Sequence, residues 1–314
     1  MGALFRPDRI LKASARDLLR DLDLTDDELL YLLDLAGEVK AAPGDYAHAL
    51  DGKSIGMLFE KPSLRTKLTF ELAIRQLGGD SVFIEGPIGV REPLKDVARN
   101  LDRWVNGIVA RVFAQSTVEG LAHWSSVPVI NALSDAYHPC QALADVQTIR
   151  EHFGKLQGLK LTFIGDGNNV AQSLMLTGLR LGMDFALGCP EGYLPNPDIV
   201  AQAEGLAAVS GRSLTITHDT EQALDGAHAV YTDVWASMGQ EQEAVQRRKD
   251  FHAYQVNDEL FALARPDAVF MHCLPAKRGE ETTDSIMEHE RSVVFQQAEN
   301  RLHAQKALLL MMLN

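Results

Sequence analysis

The sequence predicts an α/β protein with two doubly wound domains, each on a parallel sheet. Short β-like runs alternate with helical stretches along most of the chain, the pattern of repeated βαβ units. A length of 314 residues suits two domains on a prior of roughly 150 residues each. Polar clusters recur just after the β-like runs, at the end where open α/β sheets bind ligands. Both halves contribute such clusters, so a single active-site cleft between the domains is expected. The first domain is expected over residues 1–140, with a closing helix over 296–314 packing back on it, and the second over 141–295.

Residues 15–40 read as one or two amphipathic helices, with Thr25 as a cap and acids in the first turn of TDDELLYLL. In the first half, strands are expected at Ser54–Phe59, Ser81–Ile84, Gly107–Phe113 and Val127–Asn131. Helices are expected over Leu64–Leu77, Glu92–Trp104 and Val118–Ser125. Phe70, Ala73, Ile74 and Leu77 set the helical period of the first of these. The second half repeats the style, with strands at Leu159–Ile164, Phe185–Gly188, Ser213–Thr217, Ala229–Thr232 and Ala268–His272 and a helix over Asn196–Leu206. Two long helices are expected to join the domains, one in HPCQALADVQTIREHFG and one in ENRLHAQKALLLMMLN.

Composition narrows the function. A net charge of −13 argues against nonspecific binding to nucleic acid or to a membrane surface, both of which need excess Lys and Arg. No apolar run reaches the ~18 residues of a membrane span, and the N-terminus lacks the apolar core of a secretory signal. Cys140, Cys189 and Cys273 fit neither a disulfide framework nor a CxxC metal pattern. A reducing cytoplasm is the expected location.

The motifs carry the chemistry. In FEKPSLRTK, Ser63 opens a helix just past a strand, where free N–H groups and the dipole favour an anion. The hydroxyls of Ser63 and Thr66 and the fork of Arg65 would complete a site for a phosphate; the competing account is a Ser cap with a solvated basic turn. Arg111 interrupts the apolar run GIVARVFA and must reach a carboxylate, a ligand or the strand end; the competing account is an internal ion pair or an exposed edge position. In HPCQ, His138 and Gln141 share one helix face and suit one small ligand, although alone the pair reads more readily as capping or packing. FIGDGNNVAQSL approaches a dinucleotide turn, but Val170 stands where the third glycine belongs. Asn168 and Asn169 offer amides there instead. Asp233, Ser237 and Met238 of DVWASMG suit an ammonium and a carboxylate, and Cys273 with Leu274 forms a shaped turn before Pro275. Taken alone, Cys273 reads more readily as a small buried apolar side chain. A cysteine protease reading finds no local signature.

Taken in order, SLRT, HPCQALAD, GDGNN, DVWASMGQE, HCLPAKRGEE and AENRLHAQKA resemble the ornithine carbamoyltransferases over nearly the whole chain. The resemblance implies transfer of the carbamoyl group of carbamoyl phosphate to the side-chain amine of L-ornithine, giving citrulline and phosphate. It assigns the phosphate to Ser63, the Leu64 backbone, Arg65, Thr66 and Arg111, and the carbamoyl carbonyl to Thr66, Arg111 and His138. The carbamoyl amide would meet Gln141 and the backbone at Cys273 and Leu274, with Arg301 close by. Asn169, Asp233, Ser237 and Met238 would grip ornithine. The proton of the incoming amine could leave to Asp233, Cys273 or the departing phosphate. A homotrimer with shared sites is implied, and neither metal nor organic cofactor. Two positions depart from the family: Leu64 where Thr is frequent, and FIEGPIGVREP, which lacks a glutamine that many relatives carry in a longer loop. Lys61 and Arg91 are candidate substitutes. Two rivals stay open: a sibling enzyme acting on an acylated ornithine or a diamine, and a noncatalytic binding protein on the same scaffold.

Overall fold

A computed structural model of the chain describes residues 10–236 and 241–313. The chain divides into two units, one running to Gln147 and resumed from Glu299, the other spanning Thr148–Ala298.

In the first unit, α1 (Asp26–Ala41) starts on a capping box between Thr25 and Glu28. There follow β1 (Ser54–Phe59), α2 (Leu64–Gln76), β2 (Asp80–Glu85), α3 (Leu94–Trp104), β3 (Gly107–Arg111), α4 (Gln115–Trp124), β4 (Val129–Leu133) and α5 (Pro139–Phe153). Helix thus begins only at Asp26, not at residue 15. Leu18 instead forms a bridge to Ile130, because the edge of β4 offers it backbone partners. The strands are all parallel, in the order β2-β1-β3-β4. Every residue of β3 is buried, as expected of a strand covered on both faces. Leu58, Ile108 and Ala110 pack against Leu101, Val118 and Leu121 of α3 and α4.

The second unit holds β5 (Lys160–Ile164), α6 (Asn169–Arg180), β6 (Asp184–Gly188), α7 (Pro197–Ser210), β7 (Leu214–Thr217), α8 (Thr220–Leu224) and β8 (Ala229–Thr232). After these come α9 (Ala244–Asp250), α10 (Asp258–Phe261), β9 (Val269–His272), α11 (Asp284–Met287) and α12 (Val294–Leu313). Its strands are also all parallel, in the order β7-β6-β5-β8-β9. Trp235, Phe251, Phe261 and Phe270 anchor its core. The unit boundaries at Gln147 and Ala298 fall inside α5 and α12.

Strand order decides where chemistry can sit. In the first sheet the chain winds from β1 to β2 on one side and then crosses to β3 on the other. In the second it winds through β6 and β7 and returns to β8 beside β5. Each sheet therefore has one switch point, between β1 and β3 and between β5 and β8, where the flanking loops diverge and open a crevice at the carboxyl ends.

Candidate active site

The β1/β3 switch point holds the first constellation. Ser63 caps α2 by accepting from the Thr66 N–H at 3.2 Å. The N–H groups of the first turn find no carbonyl within the helix, and Leu64, 74% exposed, contributes only backbone there. Arg65 lies half-buried in the same turn. Thr66 is buried, and its Oγ1 accepts from Arg301 Nη2 at 2.8 Å and from Arg111 Nη1 at 3.4 Å. With both lone pairs engaged, the hydroxyl has its proton left to donate. Arg111, the last residue of β3, is thus buried with a partner at the strand end.

His138 precedes α5 and its carbonyl accepts from the N–H groups of Gln141 and Ala142. Burial, reinforced by the charges of Arg301 and Arg111, holds its imidazole well below the usual range, hence neutral. Gln141 Nε2 donates to Asp145 Oδ1 at 2.8 Å, both residues being buried. That bond fixes the amide orientation. Gln141 Oε1 is left buried and without a hydrogen-bond partner, an acceptor in want of an N–H.

The β5/β8 switch point carries the second constellation. In GDGNN, Gly165 adopts φ +145°, and a Cβ on Gly167 would lie 2.4 Å from the Pro195 nitrogen, so both glycines are required by the backbone. Asn168 caps α6, accepting from Val170 and Ala171 at 3.0 and 3.1 Å. Its Nδ2 donates to Asp233 Oδ2 at 3.0 Å. Asn168 is therefore the amide that meets Asp233, because the cap position turns its side chain back over the helix end. Asn169 is the first residue of α6 and half-buried. Asp233 Oδ1 accepts from the Val234 N–H at 2.8 Å and from the Cys273 thiol at 3.0 Å. Ser237 and Met238 lie outside the described residues.

Cys273 is half-buried, and Leu274 follows it at φ +59° with a cis bond to Pro275. The Leu274 N–H donates to His272 Nδ1 at 2.8 Å, so this N–H of the turn is already engaged. Asp233, His272 and Cys273 bring three potential metal ligands within 4.8 Å of one another. Both ring nitrogens of His272 are engaged in hydrogen bonds, however, the second with Glu281 at 3.1 Å. The trio is accounted for by its own contacts.

Asp145, Asn168, His272 and Glu281 were absent from the expected ligand sets. The four-residue spacing of Gln141 and Asp145 was visible in HPCQALAD as a helical pair. The contact of Arg301 with Thr66 had no local signal. Glu60, just past β1, accepts from the N–H of Ile88 in the loop after β2 at 3.0 Å and from that of Phe113 at 2.8 Å. Lys61 stands over the Phe113 ring, 4.4 Å from its centroid, and Arg91 is exposed.

Residues 16–151 match the family model of the carbamoyl-P binding domain of aspartate/ornithine carbamoyltransferase, and residues 157–312 match that of its Asp/Orn binding domain. The chain belongs to the aspartate/ornithine carbamoyltransferase family. It is 51% identical to the ornithine carbamoyltransferase of Thermococcus kodakarensis over 96% of this chain and 97% of the relative. Identity to that of Oceanobacillus iheyensis is 50%, covering 94% and 93%. The solved ornithine carbamoyltransferase of Pyrococcus furiosus superposes with a TM-score of 0.93 at 48% identity, covering 96% of this chain and 99% of that one. Within this carbamoyltransferase family, the first switch point falls in the carbamoyl-P binding region and the second in the Asp/Orn binding region.

Proposed function

We propose that the protein is an ornithine carbamoyltransferase, moving the carbamoyl group of carbamoyl phosphate to the side-chain amine of L-ornithine to give L-citrulline and phosphate. One observation carries the reading: Arg111 and Arg301 converge on the Thr66 hydroxyl beside a buried, neutral His138. Two fixed cations with a hydroxyl and a helix N-terminus suit a phosphoryl group. A neutral imidazole can donate to the carbamoyl oxygen without protonating the attacking amine.

In this reading Ser63, the Leu64 N–H, Arg65, Thr66 and Arg111 hold the phosphate and draw off its charge as it leaves. Thr66, Arg111 and His138 stabilise the negative charge that grows on the carbonyl oxygen during attack. The carbamoyl NH2 is a double donor; Gln141 Oε1 and the carbonyls at Cys273 and Leu274 are acceptors that match it. Asp233, with Asn169, Ser237 and Met238, takes the amino-acid end of ornithine. In this reading the amine proton leaves to Asp233, Cys273 or the departing phosphate. None of these steps calls on a metal or an organic cofactor. Leu64, Leu68, Val82, Ile84 and Val90 are exposed along α2, β2 and the following loop, an apolar surface that supports assembly with further copies, read here as a homotrimer with sites near the subunit interfaces. Three free cysteines and the lack, among the described residues, of a helix long and apolar enough to cross a membrane support a cytoplasmic location.

The test is citrulline formation from carbamoyl phosphate with a panel of amines. Ornithine is the expected acceptor, with aspartate, putrescine and N-acetylornithine inert. Turnover of one of the others with ornithine inert assigns a sibling transferase instead.

A further inference from the structure

The turn that ends β9 places a leucine in a left-handed conformation, Leu274 at φ +59°, which L side chains other than Asn and Asp rarely adopt. Such a residue persists only where its surroundings over-determine it. Here they do so through His272. Its Nδ1 accepts from the Leu274 N–H at 2.8 Å, so the ring proton resides on Nε2, 3.1 Å from Glu281 Oε1. The same oxygen accepts from the Lys277 N–H at 2.5 Å. The His272 N–H donates to Gln297 Oε1 at 3.0 Å, and Gln297 Nε2 to the Tyr231 hydroxyl at 2.9 Å. His272, Glu281 and Gln297 are fully buried. The residue between His272 and Leu274 is Cys273, whose thiol reaches Asp233.

We propose that His272, oriented by Glu281, is a positioning residue for the carbamoyl transfer. By drawing the Leu274 N–H inward, it commits the turn to presenting carbonyl acceptors and the Cys273 thiol to the substrates beside Asp233. The inference rests on the carbamoyltransferase reading above, but the geometry of the turn can be tested without it.

Two variants with the same functional group separate positioning from mere core packing. An Asn side chain accepts from the N–H two residues on, closing an Asx turn. Gln carries that amide one methylene further out and cannot close it. His272→Asn is expected to keep kcat/KM for carbamoyl phosphate within about fivefold of the parent, while His272→Gln loses about fiftyfold with a raised KM. Glu281→Gln retains an oxygen for Nε2–H and stays close to the parent; a loss there as large as that of His272→Gln overturns the orienting role. The second readout is independent of catalysis. Cys140 and Cys189 are buried and Cys273 is not, so alkylation by iodoacetamide reads this turn, and it should accelerate in His272→Gln alone. Equal behaviour of the Asn and Gln variants in both assays overturns the proposal. A parent protein that forms no citrulline overturns the carbamoyltransferase reading instead, and the alkylation rates then still decide whether His272 sets the turn.

Discussion

Arg301 Nη2 donates to Thr66 Oγ1 at 2.8 Å, joining α12 to the first turn of α2 across 235 positions of sequence. Thr66 also receives Arg111, so one hydroxyl bridges two buried guanidinium groups of like charge. Thr66→Val removes the acceptor and keeps the shape. A hydrogen bond to a charged group contributes about 1.5–3 kcal/mol, so KM for carbamoyl phosphate should rise by about ten- to a hundredfold. The KM for ornithine should barely move. Saturation curves in each substrate check both statements.

The orientation of Gln141 depends on Asp145. With Asp145→Ala the amide can flip, and half of its orientations offer N–H to the carbamoyl amide in place of an acceptor. Steady-state kinetics should show kcat/KM for carbamoyl phosphate at least about tenfold lower. Asp145→Asn, which retains an acceptor oxygen, should recover most of that loss.

Asn168 has two duties that substitution separates. Asn168→Ala removes the cap of α6, at a cost of about 1 kcal/mol, along with the donor to Asp233. Asn168→Asp is an equally good cap, but it sets a carboxyl group against Asp233 Oδ2, now 3.0 Å from the amide nitrogen. The Ala variant should lower the thermal midpoint by a few degrees, about what such a loss implies. Both should raise KM for ornithine. A normal ornithine KM in the Asp variant would remove Asn168 from the account of Asp233.

His138 makes stability depend on pH in a defined direction. Its folded pKa lies well below that of a free imidazole because burial, with Arg301 and Arg111, disfavours the cation. The unfolded chain binds the proton at about pH 6.5 while the folded chain does not. The resulting stability is therefore complete above that value and is lost as pH falls, by up to about 1.4 kcal/mol per unit for this group. His228 and His303 are depressed too, so the parent should lose stability steeply between pH 7 and 5. His138→Asn should lose it less steeply in urea titrations at the two values, and identical slopes would contradict the buried neutral state.

Much of the architecture could be read directly from the chain, because local chemistry determines it. The apolar runs became β1 to β9 with shifts of one or two residues. Ser63 caps α2, and the glycines of GDGNN serve the backbone. The helix expected from residue 15 failed because Leu18 found a tertiary partner in Ile130, which local periodicity does not encode. The residue types needed for anion and amine chemistry were legible too, since SLRT, HPCQ and HCLP each keep their groups within a single turn of chain.

Only the tertiary structure decided which groups meet. Strand order brings β1 beside β3 and β5 beside β8, and so pairs Thr66 with Arg111 and Asn168 with Asp233. Finding Asn168 for Asp233, Arg301 for Thr66 and Glu281 for His272 took three-dimensional placement. The physical reason is that a side chain's partner is set by the path of the backbone through the sheet and by what burial forces it to satisfy. Neither is a property of its neighbours in sequence.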